Sequence, residues 1–404
     1  MSTASEVSFS RWAFVASLGV FLLIGALDAA YGPLLRTISL RFEVSLPTSG
    51  TVLSVYFAGA LAGVLGALAC LRSLSGRDVL IGGLATLALG CAGVAASREW
   101  LAFLGSVLLT GTGFGALDFT LNRLLAATES RHRVARLNTV NAAFGAGAVA
   151  GPFIVSTLKG GTLTYGFAAA AALACLLAAG QRGVRAPAPP RVADEPAPAS
   201  DSTRSPKATL ERGTLARFGL VYLCYVATEA GTAGWIVAHL SAVGYSVRLA
   251  TAVTSGFWLA MTIGRLCAAP LSSVVALRHI VLAATALLAL CLAVATVPVL
   301  APAAYVVAGL AAAPIFPMGL AWAAESWPGD HRAASWALTA SMLGGIVGPA
   351  IIAGAVSATN VTIVPAALST FAALTFVTLL SVRGPRVAAA RLPSSCTMDG
   401  AELG

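Results

Sequence analysis

The sequence predicts an all-α membrane protein, twelve transmembrane helices arranged as two six-helix repeats, and three observations carry that prediction. Of 404 residues, 58% are hydrophobic and only 10% charged, against about 25% charged in a soluble domain. Apolar stretches of roughly 20 residues, each able to cross a ~30 Å hydrocarbon core as a helix, recur from Trp12 to Val382. A polar interruption from Gln181 to Gly213, with six prolines and both charge signs, splits these stretches into six and six. A β-barrel would instead show short alternating segments.

Basic residues set the expected orientation. With the N-terminus inside, eighteen Lys and Arg fall on inward segments, among them Arg11, Arg72, Arg77 and Arg278. Five, namely Arg36, Arg41, Arg98, Lys159 and Arg248, fall outward. That bias predicts a multi-pass protein of the inner (plasma) membrane with both termini cytoplasmic. The net charge of +9 therefore reports topology and contact with membrane lipid. No nucleic-acid partner is expected.

Along the chain, the first run has Arg11 before it and small residues around Ala29, like a signal peptide, but it is long and has a counterpart in the second half. Residues 1–180 are expected to form the first half, 181–213 a disordered cytoplasmic linker, 214–382 the second half and 383–404 a cytoplasmic tail. The halves overlay at an offset near 200 residues. Gly147 to Pro152 in the fifth span matches Gly344 to Pro349 in the eleventh, Phe57 matches Phe257, Gly63 matches Gly264, and Asp28 falls on Glu229. Landmarks in consistent order point to duplication. Six of the seven cysteines lie in apolar spans, so no extracellular disulfide framework is expected.

Parallel six-helix repeats joined by a cytoplasmic linker resemble the major facilitator superfamily over nearly the whole chain. Between the second and third spans the family carries a Gly-x-Leu-Ala-Asp-Arg-x-Gly-Arg-Arg motif. Here Gly66-Ala67-Leu68-Ala69-Cys70-Leu71-Arg72 continues to Gly76-Arg77, so cysteine stands where the acid belongs. Within the superfamily, Gly113-Phe114-Gly115 with Asp118 and Asn122, Tyr225 to Glu229 with Gly231 and Trp235, Phe257-Trp258 with Gly264-Arg265, and Ala313-Pro314-Ile315-Phe316-Pro317 resemble the fucose/galactose/gluconate proton-symporter type. The resemblance implies that spans one, four, seven and ten line a central cavity. It also implies proton symport of a small, sugar-like solute.

An acid or arginine in hydrocarbon costs about 2.5 to 3.5 kcal/mol, so each one there needs a reason. Five fall inside spans: Asp28, Asp118, Arg123, Glu229 and Arg265. Asp28, Glu229 and Asp118 are the candidate proton-coupling groups, because protonation lets a carboxylate be buried and also couples it to protons. Counted from the nearest inner arginine, Glu229 lies near mid-membrane and Asp28 in the outer half. Helical spacing aligns Gly111, Gly115, Asp118 and Asn122 on one face of the fourth span, a small-residue notch above an acid and an amide. Tyr222, Tyr225 and Glu229 align on the seventh. Asn122, Asn141, Tyr222, Tyr225, Trp235 and Trp258 are the candidate substrate-binding residues. Arg123, Arg265, Arg72 and Arg77 are candidate gating or structural charges, and tyrosines in such spans also serve as ordinary interhelical packing.

The paired Gly-x-x-x-Gly-Pro segments also resemble the fifth-helix motif of drug antiporters, although the same spacing brings any two membrane helices close. Efflux of a lipophilic compound is thus the alternative transport function, and a sensor that binds without moving its ligand is a third. There is no metal-spaced histidine pair and no phosphate-binding glycine loop, so no enzyme activity, metal or cofactor is expected. The expected partners are a small-molecule substrate, protons and lipid, with the chain acting as a monomer.

Overall fold

The computed structural model describes residues 7–128, 133–158, 161–186, 212–327 and 332–382. Most of the expected linker, 187–211, and the expected tail, 383–404, lie outside the described residues. The helices are α1 (Arg11–Arg41), α2 (Leu46–Cys70), α3 (Gly76–Ala96), α4 (Trp100–Ala126), α5 (Arg133–Leu158) and α6 (Phe167–Gly180), then α7 (Arg212–Ala242), α8 (Val247–Leu271), α9 (Leu277–Val294), α10 (Ala301–Ala312), α11 (Ile315–Ser326), α12 (Arg332–Ala358) and α13 (Val364–Ser381). α10 and α11 are one span, broken at Ala313 and Pro314. Proline supplies no N–H to continue the helical ladder.

Among the described residues, eleven segments are long and apolar enough to cross a membrane. The eighth expected span, α8, is 25 residues long and is not among them. Arg265, inside its apolar stretch, lowers its mean hydropathy.

The chain enters helix after helix the same way. Ser10, Ser45, Ser75 and Ser246 each accept a bond from a backbone N–H of the first turn at 3.1 to 3.3 Å, satisfying donors that a helix start leaves orphaned. α1, α2, α3 and α4 begin 201 residues before α7, α8, α9 and α10 respectively. The match extends to the turn between the first two helices of each set. Val44 N donates to Ser39 O at 3.1 Å and Tyr245 N to Leu240 O at 2.9 Å. The residue before each donor is left-handed, Glu43 at φ 54° and Gly244 at φ 97°.

Glycines set which helices touch. A Cβ on Gly147 or Gly151 of α5 would run into the α1 carbonyls of Leu22 and Ala26, and one on Gly344 or Gly348 of α12 into the backbone of Leu223 and Ala227 in α7. The paired Gly-x-x-x-Gly-Pro segments are therefore close-packing stripes, α5 on α1 and α12 on α7, each pair parallel. Likewise Gly111 and Gly115 of α4 pack on the carbonyls of Tyr56 and Ala60 in α2, and Gly309 of α10 on that of Phe257 in α8. The α4 notch predicted from spacing is thus filled by α2 backbone.

Before α1, Ser8–Phe9 pairs antiparallel with Val184–Arg185. This ties the entry of the first helix to the exit of α6, at the linker end of the bundle.

Candidate functional site

Among the described residues, the contacts that join the α1–α6 set to the α7–α13 set lie from mid-span to the end away from the linker. Near that far end, a Cβ on Gly32 would meet the backbone of Ala233 and Gly234, and one on Gly50 would meet the Trp235 ring. At mid-span Ser255 Oγ donates to Val149 O at 2.9 Å, the Phe144 and Trp258 rings lie 6.5 Å apart near edge-on, and Gly145 abuts Thr262. On the linker side of this seal Asn141, Arg123 and Arg265 are exposed. These contacts and exposures imply a cleft between the two sets that opens toward the linker end.

The α4 wall of the cleft carries a carboxamide relay. Asn122 Nδ2 donates to Asp118 twice, to its backbone carbonyl and to Oδ1, both at 3.0 Å. Asn141 Nδ2, from α5, reaches Asn122 Oδ1 at 3.4 Å and Leu137 O at 2.8 Å. Asn122 thus holds the Asp118 carboxylate in place.

The α7 wall carries an ion pair. Glu229 Oε1 lies 3.7 Å from Arg265 Nη2, the carboxylate side chain 17% exposed and the arginine 39%. Tyr225, one turn earlier on α7, sits beside Glu229 and donates its hydroxyl to Ala312 O at 3.0 Å. That carbonyl belongs to the last turn of α10, where the helix break leaves acceptors without intrahelical donors. Tyr225 therefore braces the broken tenth span against the Glu229 helix.

Asp28 of α1 joins the walls, being within electrostatic range of both Glu229 and Asp118. Depth counting from sequence had placed Asp28 farther out than Glu229, using Arg217 as the inner reference for the latter. The structure starts α7 at Arg212, so each acid lies 17 residues past the first residue of its helix. Tyr56 of α2 is within range of Asp28 and Asp118 as well. Sequence analysis missed Tyr56, whose only signal was its place next to Phe57.

Other candidates lie apart. Trp235 is fully buried against Gly50 at the sealed end. Tyr222 is buried, donating to Phe316 O at 3.1 Å and packing on Gly319. Both serve helix packing and present no free face to the cleft. Trp258, 5% exposed, stands at the seal between Phe144 and Phe257. Arg123 is exposed in the last turn of α4. In the α2–α3 loop Arg72 is exposed, and Arg77 pairs at 3.6 Å only with its neighbour Asp78, a half-exposed pair worth little. Among the described residues, no three His, Cys, Asp or Glu side chains converge as a metal site.

The sequence model of the Major Facilitator Superfamily matches residues 13–228. The chain belongs to the major facilitator superfamily. Solved structures show how far its fold is that of facilitator transporters. A mutant of the nucleoside transporter NupG superposes with a TM-score of 0.70 at 16% identity, over 92% of this chain and 99% of its own. A POT family transporter in complex with 5-aminolevulinic acid gives 0.74 at 11%, over 92% and 95%. The E. coli fucose:proton symporter FucP gives 0.62 at 17%, over 91% and 97%, and FucP in the outward conformation gives 0.61 at 15%, over 92% and 99%. No curated protein matches in sequence. At such identities the likeness shows the facilitator fold, and the chemistry of the site has to come from the residues.

Proposed function

We propose that this facilitator moves a small polar, sugar-like solute by proton-coupled alternating access, from a site between two six-helix repeats of a plasma-membrane protein with both termini cytoplasmic. The observation that carries this function is that Asp28 of α1 lies within electrostatic range of both Asp118 of α4 and Glu229 of α7, in the cleft between the two sets. Three carboxylates cannot share a desolvated space fully ionised, so occupancy by protons must change as the cleft opens to one side or the other.

The equal spacing of helix starts and the parallel pairs α1 with α5 and α7 with α12 support the duplicated plan. With the positive-inside orientation, the linker end is cytoplasmic, the linker joins the repeats there, and the present state is inward-open.

The test is uptake and exchange in proteoliposomes with an imposed pH gradient. Glu229→Gln keeps the shape of the protonated acid, so it is expected to abolish gradient-driven accumulation while sparing solute exchange. Accumulation at the wild-type level would remove Glu229 as the proton carrier.

Efflux of a lipophilic compound is the second function, favoured by the aromatic chain Tyr56, Phe114, Phe144 and Trp258 that runs from α2 to α8. Gradient-driven extrusion of a lipophilic dye with no uptake of polar solutes would select it. Binding without flux in either direction would leave a sensor.

A further inference from the structure

Arg265 lies on the linker side of the seal, within a membrane span, and its side chain is 39% exposed. A guanidinium has five donors in a planar fork. Both contacts of this one use Nη2: the Glu229 oxygen at 3.7 Å, too far for a hydrogen bond, and the Met261 thioether at 3.4 Å, a weak acceptor. Among the described residues Nε and Nη1 bond to nothing.

Among the described residues, the helices packed on α8 offer it no other acid in contact. On α5 the facing residues are Phe144, Gly145 and Val149. On α10 they are Val306, Gly309 and Leu310. On α7 they are Glu229 and Tyr225, with Asp28 of α1 beyond. If its task were only to neutralise Glu229, a closed and hydrogen-bonded pair would do so at lower cost than an open one, since a buried charge is tolerated when well paired. The arrangement instead leaves a part-exposed guanidinium whose N–H groups meet no strong acceptor and can take a carboxylate.

We propose that Arg265 is the anchor for a carboxylate on the transported solute, which makes the substrate class a polyhydroxylated acid. The solute carboxylate takes the guanidinium in place of Glu229, and the hydroxyls meet Asn141 and the Asp118–Asn122 pair across the cleft. This rests on the transport function above and narrows its substrate.

Binding to the purified full-length protein is measured by thermal shift with two matched pairs, D-galacturonate against D-galactose and D-gluconate against sorbitol. A carboxylate member is expected to bind more tightly than its neutral partner. Arg265→Gln is expected to weaken carboxylate binding by about 30-fold, the loss of a charge-assisted contact. Arg265→Lys is expected to recover part of it, and Glu229→Gln to tighten it by removing the competitor.

The double variant Glu229→Gln with Arg265→Gln is neutral at both positions, so it separates anchor from counter-ion. Carboxylate binding that stays weak in it supports the anchor, whereas recovery to the wild-type level overturns it. Equal binding of acid and neutral members, or binding of neither, also overturns it. Gradient-driven flux of a neutral member would keep the transport function while this inference fails. Carboxylate binding without any flux would do the reverse.

Discussion

At the scale of single residues, Asn122 is the hinge of the polar site, since its amide donates twice to Asp118 and its carbonyl receives Asn141. Asn122→Ala removes all three contacts without adding bulk. It is expected to weaken apparent substrate affinity about 10-fold, as for loss of a polar contact network, with normal membrane expression. An unchanged concentration dependence of uptake would move the site off α4. Glu43 presents a different single-residue effect. It sits at φ 54° where the matching turn has Gly244, and a left-handed residue with a side chain costs about 1 to 2 kcal/mol, only part of which glycine's extra chain entropy returns. Glu43→Gly is therefore expected to stabilise by about 0.5 kcal/mol, read as a higher thermal midpoint. A lower midpoint would mean the carboxylate makes a contact that outweighs the backbone strain.

At the scale of elements, glycines with and without neighbours make a controlled comparison. A Cβ at Gly147 meets the Leu22 carbonyl and can be accommodated only if α1 and α5 separate, whereas Gly82 on α3 has open space around it. Gly147→Ala is expected to cost about 2 kcal/mol through overpacking, and Gly82→Ala to be neutral or stabilising by up to about 1 kcal/mol through helix propensity. Equal yields and thermal midpoints for the two would refute the close-packing role. These elements also divide what sequence could and could not reveal. Hydropathy located the apolar segments, because burying twenty residues in hydrocarbon leaves little choice of pattern, but it does not show the break at Ala313 and Pro314 in the tenth span. Helical spacing put Asp118 with Asn122 and Tyr225 with Glu229, because i, i+3 and i+4 neighbours share a face whatever the tertiary context. Spacing cannot say what covers that face. Trp235 shares a helix with Glu229 yet is buried on Gly50, and the α4 notch went to α2. Arg265 is an evident counter-charge for Glu229 from the sequence, but the open 3.7 Å geometry of the pair is not, since its members lie on different helices.

At the scale of the whole molecule, the seal has to open if the two sets exchange access between sides, and α5 against α8 is where it can be tested at mid-span. Built on the present backbone, a Cβ at Gly145 would lie 3.3 Å from Thr262 Cβ, close to the spacing of about 3.5 to 4.5 Å that a disulfide spans. Replacing Thr262 also removes the hydroxyl that would crowd a side chain at Gly145. The pair Gly145→Cys and Thr262→Cys is expected to form a disulfide under mild oxidation that fixes the cleft open to the linker end. Exchange and net flux should then both stop, and reductant should restore them in the same preparation, which controls for damage from the substitutions themselves. Binding is expected to survive oxidation when ligand is added from the linker side, because Asp118, Asn122, Asn141 and Arg265 all lie on that side of the cross-link. Flux that continues after complete cross-linking would mean that the α5–α8 contact does not part during the cycle and that access alternates through some other movement.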